Sequence, residues 1–237
     1  MDQTETKYPF KGVDNISHLG EYGYGLWPMV IINIIFLMFI ITLVYKPRTS
    51  TDWKSMGSLG AFFVALFTEM YGYPLTIYLL SSWLGKRYPV VDPFSHENGH
   101  LVSVFYDSNL VKLLVHPGTD LIIIASLIII AVAWKHIHQA GDKMVTHGMY
   151  SYVRHPQYTA FMIIILAFLV QWPTIITLVM TPILITVYYR LAIKEEKYML
   201  QHFGEDYREY MKNSRRFLPS PLALARSFQN REQKETI

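Results

Sequence analysis

The chain has 237 residues, of which 51% are hydrophobic, 15% aromatic and only 16% charged, with a formal net charge of +3. That balance and the positive mean hydropathy exclude an ordinary water-soluble domain and point to an integral membrane protein. Cysteine is absent, which excludes disulfides, thiolate metal ligands and a covalent cysteine intermediate. Asp2, Glu5 and Lys7 open the chain and the first apolar run starts only near Trp27, so a cleaved signal peptide is not expected.

The first span is expected over Trp27 to Tyr45, bracketed by aromatic residues and followed by Lys46, Arg48 and Lys54. A second runs from about Ser58 to Leu84 and contains Gly72-Tyr73-Pro74, where a tilt or kink is expected. Residues 86–118 read as a polar connection carrying proline and glycine. The third span covers Thr119 to Trp134, apolar on every side. Two short apolar segments follow, Tyr158 to Trp172 and Thr174 to Tyr189, joined at Pro173 as a tight helical hairpin. Each arm would extend only about 23 to 24 Å as a helix, short of a full crossing of about 30 Å unless neighbouring residues extend it. From Ala192 to Asn213 charged residues alternate with Leu200, Phe203, Tyr207, Tyr210 and Met211 at spacings of three and four, the pattern of an amphipathic surface helix that Gly204 can interrupt.

The expected fold is therefore all-α: a multi-pass transmembrane helical bundle of about five spans, including the C-terminal hairpin, plus a cytoplasmic amphipathic helix. It forms a single membrane domain over 1–237, divided into N-terminal spans and loops (1–139, the expected substrate side), a core at 140–219 and a polar tail at 220–237. Basic residues fix the expected orientation. Lys46, Arg48, Lys54, Lys135, Lys143, Arg154, Arg190, Lys194, Lys197, Arg208, Arg215 and Arg216 all fall on one face of a five-span arrangement, which places the N-terminus outside and the C-terminus in the cytoplasm. The expected location is a bacterial inner membrane or its equivalent.

Two polar clusters then share the cytoplasmic face. The first is His147-Gly148-Met149-Tyr150-Ser151-Tyr152-Val153-Arg154-His155-Pro156-Gln157-Tyr158. Taken singly, these residues read as a juxtamembrane loop, with Arg154 at lipid headgroups and Pro156 opening a helix. Taken together they read as a ligand site: Gly148 permits close backbone approach, His155 can donate or accept, and a helix starting at Pro156 offers free N–H groups to an anionic group. The second cluster is Arg190, Lys194, Glu195, Glu196 and Lys197. Its bland reading is a solvated helix end. However, Arg190 follows Tyr188-Tyr189 directly at a span end, where an ionised group needs a partner or a wet cavity. Glu195 and Glu196 lie about 100° apart on a helix, so one is expected to meet a ligand and the other to brace the fold.

The combined pattern Gly148-x-Tyr150-x-x-x-Arg154-His155-Pro156-x-Tyr158, then Arg190, then Glu195-Glu196, then Phe203-Gly204-x-x-Tyr207-x-x-Tyr210, resembles the isoprenylcysteine carboxyl methyltransferase and phospholipid methyltransferase superfamily of membrane enzymes, over roughly residues 140 to 219. The resemblance implies an S-adenosylmethionine-dependent methyltransferase. Cofactor would enter from the cytosol and a lipidic or membrane-partitioning acceptor, bearing a carboxylate, amine or thiol, from the bilayer. On matching positions Gly148, Tyr150, His155, Pro156 and Tyr158 would surround the cofactor and the Glu195-Glu196 pair would complete its pocket. Glu196 is expected to meet the ribose hydroxyls, with Arg190 and Glu195 as the catalytic residues at the reacting end. The implied partners are membrane lipids and a lipophilic or lipidated substrate, with no nucleic acid and no metal.

Other readings compete. His96-Glu97-Asn98-Gly99-His100 matches the H-E-x-x-H zinc pattern, but Pro93, Asn98 and Gly99 disfavour the helix that would bring both histidines to one face. Glu69, within the second span beside Tyr71 and Tyr73, is either a functional carboxylate or a protonated one bonded to a neighbouring helix. His136 and His138 point to different helical faces and read as interfacial. A nicotinamide-dependent membrane reductase of the sterol reductase type, and a non-enzymatic lipid-binding or transport protein, are the alternative classes; saturable binding of S-adenosylmethionine, of NADPH, or of neither separates them.

Overall fold

The computed structural model describes residues 26–44, 49–73, 75, 76, 79 and 109–219. Among these residues the regular structure is helical, apart from one isolated parallel bridge between Val153 and Arg215. The second half of the expected second span, the polar connection up to residue 108, and His96 and His100 lie outside the described residues.

Helix α1 spans Trp27–Val44, as the hydropathy and aromatic brackets indicated. Helix α2 spans Ser50–Phe67, starting eight residues before the expected Ser58. The cause is a capping box: the Thr49 hydroxyl accepts the Asp52 N–H at 3.2 Å and the Asp52 carboxylate accepts the Thr49 N–H at 2.9 Å, so two orphan donors are satisfied ahead of the apolar run. The helix then loosens into a π-helical turn at Thr68–Gly72, and Tyr73 turns extended at φ −111° and ψ 102°, as a residue before proline must. The irregularity thus precedes Pro74, which itself lies outside the described residues.

Helix α3, Asn109–Ala140, is much longer than the expected Thr119 to Trp134. Its first turns were read as polar connection because Pro117 and Gly118 interrupt them, yet the helix continues through both. A loop and a 3-10 turn at Gly148–Ser151 lead to α4, Pro156–Gln171, which Pro156 opens at a position whose N–H would be unpaired in any case. Helix α5, Ile175–Asn213, begins at a second capping box between Thr174 and Thr177. The expected hairpin is therefore present, but its second arm does not stop near Tyr189. It runs without a break through Arg190, which corrects the separate amphipathic helix expected from Ala192. The break comes instead at Gly204, where φ 56° and ψ −123° are open only to glycine and the chain turns its last helical stretch back toward the loop before α4.

In space α3 packs along α4, α4 along α5, α5 along α2, and α2 along α1. Helix α2 presents Met56, Leu59, Phe62, Phe63 and Leu66 as one buried stripe at helical spacing. Tyr158, Phe161, Ile164 and Ile165 of α4 and Leu184, Tyr188 and Leu191 of α5 meet it in a single core. Buried small residues, Ser55, Ala133, Ala160 and Ala192, let the backbones approach; in lipid such close packing, rather than water exclusion, drives helix association. The Tyr188 hydroxyl ties α5 to α2 by donating to the Ser55 carbonyl at 3.2 Å.

The outer surface is apolar. Ile35, Phe36 and Phe39 of α1, Leu121, Ile124 and Ile128 of α3, and Val179 and Ile183 of α5 are all exposed large apolar side chains. Leu114–Ala140 and Ile175–Asn213 are long and apolar enough to cross a membrane, while Trp27–Thr42 and Pro156–Gln171 are apolar but shorter.

One end of the bundle holds the Leu26 N–H on the Tyr71 carbonyl at 2.8 Å, the Ile175 N–H on the Thr76 hydroxyl at 2.9 Å and the Gln171 amide on Asp120 at 2.9 Å. The other end holds the Thr49 cap, the loop before α4, and α5 beyond Arg190.

Candidate active site

The two polar clusters meet at that second end. His155 is the N-cap of α4 but makes no side-chain cap bond, so its ring is free to turn outward along the helix end. It stacks on Tyr158 at 5.5 Å between ring centres, and its Nδ1 lies 3.2 Å from Glu195 Oε2. The Tyr158 hydroxyl donates to Glu195 Oε1 at 2.5 Å. A tyrosine from one helix and a histidine from its cap therefore fix both oxygens of one carboxylate from another helix. Glu195 keeps a side-chain exposure of 23%, the one partly open carboxylate of the pair.

Glu196 has the opposite surroundings. Its side chain is only 5% exposed, and Arg154 Nε donates to Oε1 at 2.8 Å. Arg216 donates twice, Nε to Oε1 at 3.0 Å and Nη2 to Oε2 at 2.6 Å. Arg154 also donates to the carbonyls of Met211 and Ser214, so one guanidinium joins α5, the loop before α4 and the segment after α5. The adjacent glutamates have different surroundings, as their separation on the helix requires. The ribose contact expected at Glu196, however, meets a carboxylate whose oxygens already accept three arginine N–H groups.

The electrostatics follow from these contacts. Burial alone would lower the His155 pKa, but the contact with Glu195 and the charge of Glu195 and Glu196 outweigh it and hold the ring above its ordinary value. Burial would raise Glu196, and His155, Arg216 and Arg154 overcome this to hold its carboxyl well below the usual carboxylate range. Burial pushes Tyr150 and Tyr207 up, and Tyr210 up to about 12, so these phenols stay neutral.

His155 Nε2 faces the other glutamate. It sits 3.5 Å from Glu196 Oε1 without hydrogen-bond alignment, is buried, and has no hydrogen-bond partner among the described residues. A buried imidazole held toward its protonated form by two glutamates, beside a helix N-terminus that has no side-chain cap, is a place for a polar ligand group.

The remaining expected residues fall as follows. Gly148, at φ +63°, opens the 3-10 turn, and a Cβ there would meet His136 Nε2 at 3.3 Å. Tyr150 is buried: its hydroxyl donates to Gln157 Oε1 at 3.0 Å and its carbonyl accepts from the Tyr210 hydroxyl at 2.6 Å, which holds the turn in place. Pro156 is buried at the start of α4. Arg190 is exposed, and at 100° per residue it points about 140° away from Glu195, so the structure does not bring it to the cluster. It shares the outer face of α5 with exposed Lys194 and Lys197.

Glu69 lies at the opposite end of the bundle. It accepts the Thr76 N–H at 3.3 Å, and Thr76 in turn holds the first turn of α5. Twenty residues of helix, roughly 30 Å, separate that turn from Glu195. His136 and His138 each use Nδ1 on a carbonyl one turn back, at 2.8 and 2.9 Å. No cluster of three metal-binding side chains occurs among the described residues.

Sequence reasoning missed the two arginines that matter. Arg154 was read at lipid headgroups and Arg216 as part of a basic flank. The available signal was charge: two adjacent carboxylates turning toward a helix bundle need counter-ions that neighbouring lysines on the outer face cannot supply.

No curated protein and no solved structure matches the chain. The family model of phospholipid methyltransferase matches residues 113–206, from the start of α3 past both glutamates to the turn after Gly204. Over residues 113–206 the chain is similar to the phospholipid methyltransferase family, in keeping with the superfamily of membrane methyltransferases that its C-terminal motif resembles.

Proposed function

We propose that the chain is an S-adenosylmethionine-dependent membrane methyltransferase acting on a lipidic or membrane-partitioning acceptor that bears a carboxylate, amine or thiol. The observation that carries the reading is the Tyr158–Glu195–His155 arrangement. It joins a partly open carboxylate to a buried histidine and a tyrosine, inside the matched region and at the polar end of an apolar bundle.

The residues present fit such a cofactor. His155 Nε2–H and the first N–H groups of α4 suit the methionine carboxylate, and Glu195 suits an amine or hydroxyl donor. When bound, S-adenosylmethionine supplies an electrophilic sulfonium methyl group and requires no metal for its transfer. The protein's task is alignment and charge. Tyr158 and His155 fix the orientation of Glu195. Arg154 and Arg216 neutralise Glu196, which leaves Glu195 as the negative group facing the ligand. Gly148 and Tyr150 shape the loop that leads into the site, with Tyr210 of α5 holding it, and buried Pro156 sets the start of α4.

Arg190, with Lys194 and Lys197, belongs in this reading to the outer rim, where an acceptor's anionic headgroup or carboxylate would arrive from the bilayer. The topology that goes with it is five crossings, N-terminus outside, with the site at the cytosolic face. Titration of the protein in nanodiscs tests the cofactor class: saturable S-adenosylmethionine binding that weakens in Glu195→Gln and His155→Ala supports it, and saturable NADPH binding in its place overturns it.

A further inference from the structure

The segment after α5 does more than end the helix. Arg215 pairs with the loop before α4 as a parallel bridge: its N–H donates to the Tyr152 carbonyl at 3.2 Å and its carbonyl accepts the Arg154 N–H at 2.7 Å. The Arg216 carbonyl accepts the His155 N–H at 3.1 Å, and the Phe217 carbonyl accepts the Thr159 hydroxyl at 2.8 Å. Side chains add to this. Arg216 grips Glu196 and lies over the Tyr189 ring at 5.2 Å, while the Phe217 ring sits 6.2 Å from His155 and 6.1 Å from Tyr189. Ser214–Phe217 is therefore a strap across the junction of α4 and α5, tied to His155 itself.

That arrangement raises an access problem. His155 is only 4% exposed, and Phe217 and the Arg216 backbone lie against it. The fastenings are of the kind that open: a few backbone bonds outside regular structure and an ion pair whose arginine keeps 27% exposure.

We infer that Ser214–Phe217 is a gate over the ligand site, with Arg216 as a positioning residue whose bidentate pair with Glu196 latches it, and that the gate parts for each exchange of cofactor. The inference rests on the proposed reading of His155 and Glu195 as a cofactor site. When the latch is closed, Arg216 holds Glu196 away from the ligand and Phe217 presses the His155 ring against Tyr158. When it opens, the parallel bridge is lost and His155 meets the cytosol.

The natural absence of cysteine gives a clean test. Val153→Cys with Arg215→Cys places two thiols at a bridged pair, within the reach of a disulfide. Oxidation is expected to slow both association and dissociation of S-adenosylmethionine at least tenfold in nanodiscs, with full recovery on reduction. Arg216→Ala is expected to speed dissociation about tenfold and to raise the cofactor KM more than it lowers kcat, with partial rescue in Arg216→Lys. In the wild-type protein, the amides of Arg154, His155 and Arg215 are expected to exchange with deuterium more slowly once cofactor is bound. An oxidised variant that exchanges cofactor at the reduced rate, or wild-type amides indifferent to saturating cofactor, overturns the gate. A wild-type protein that binds no S-adenosylmethionine overturns the underlying site reading, and the gate with it.

Discussion

The Arg216 guanidinium meets both oxygens of Glu196, at 3.0 and 2.6 Å, from twenty residues further along the chain. With Arg154 on the same carboxylate, this makes Glu196 the joint between α5, the loop before α4 and the segment after α5. Glu195, one residue earlier, has Tyr158 and His155 as partners and remains partly open. Adjacent and chemically identical side chains thus have different partners because a helix turns about 100° between them.

Neutralising each carboxylate is expected to separate their tasks. Glu196→Gln leaves two guanidinium groups without their counter-charge and should cost about 3–5 kcal/mol of stability, read as a large fall in thermal midpoint in detergent. Glu195→Gln should change the midpoint little and lower methyl transfer by at least about a hundredfold. Equal destabilisation by both would contradict the division.

The pH dependence of stability has two sides. Glu196 is depressed below its ordinary value of 4.5, so its contribution is present above that pH and is lost as pH falls through its lower folded value. His155 is raised above its ordinary value of 6.5, so its contribution is complete below that pH and is lost as pH rises through its higher folded value. A thermal midpoint scanned across pH should therefore be greatest between about 4.5 and 6.5 and decline on the alkaline side. The alkaline decline should be absent in His155→Gln.

Removal of one hydroxyl tests the orientation of Glu195. Tyr158→Phe keeps the ring stacked on His155 and deletes the 2.5 Å bond to Glu195. The expected cost is about 1.5–3 kcal/mol, as for a bond to a charged group, with turnover reduced more than cofactor affinity. Unchanged kcat would show that this bond does not set the reacting geometry.

Backbone conformation at Gly204 is required for the return of Tyr210 and Ser214 to the loop. Gly204→Ala is expected to cost about 1–3 kcal/mol because φ 56° with ψ −123° excludes a Cβ. Limited proteolysis after residue 204 should become faster, since the stretch that carries Tyr210 onto the Tyr150 carbonyl is released.

Much of this was legible in the sequence, where local rules operate. Trp27 marks the start of α1, Pro156 opens α4, and Pro173 and Thr174 turn the hairpin, because hydropathy, proline geometry and capping act over a few residues. The start of α2 was equally local, in Thr49 and Asp52, but hydropathy alone placed it at Ser58. The end of the hairpin's second arm was misplaced because composition changes at Arg190, whereas a helix needs a conformational stop and finds none before Gly204. The partners of Glu196 were not legible at all: Arg154 lies 42 residues before it and Arg216 twenty after, and only the folded chain brings them to one carboxylate. Arg190 was expected at the reacting end from the resemblance, and its exposed position follows from helical phase, which the position of Glu195 already contained.

The central claim is methyl transfer to a membrane acceptor, and its most direct measurement is incubation of the reconstituted protein with methyl-labelled S-adenosylmethionine and a membrane lipid extract, followed by identification of the labelled product. The account expects label in an organic-soluble product, formed in a time-dependent manner by the wild-type protein and lost in Glu195→Gln. Label absent from every extract fraction at saturating cofactor, or label transfer that persists undiminished in Glu195→Gln, would contradict it.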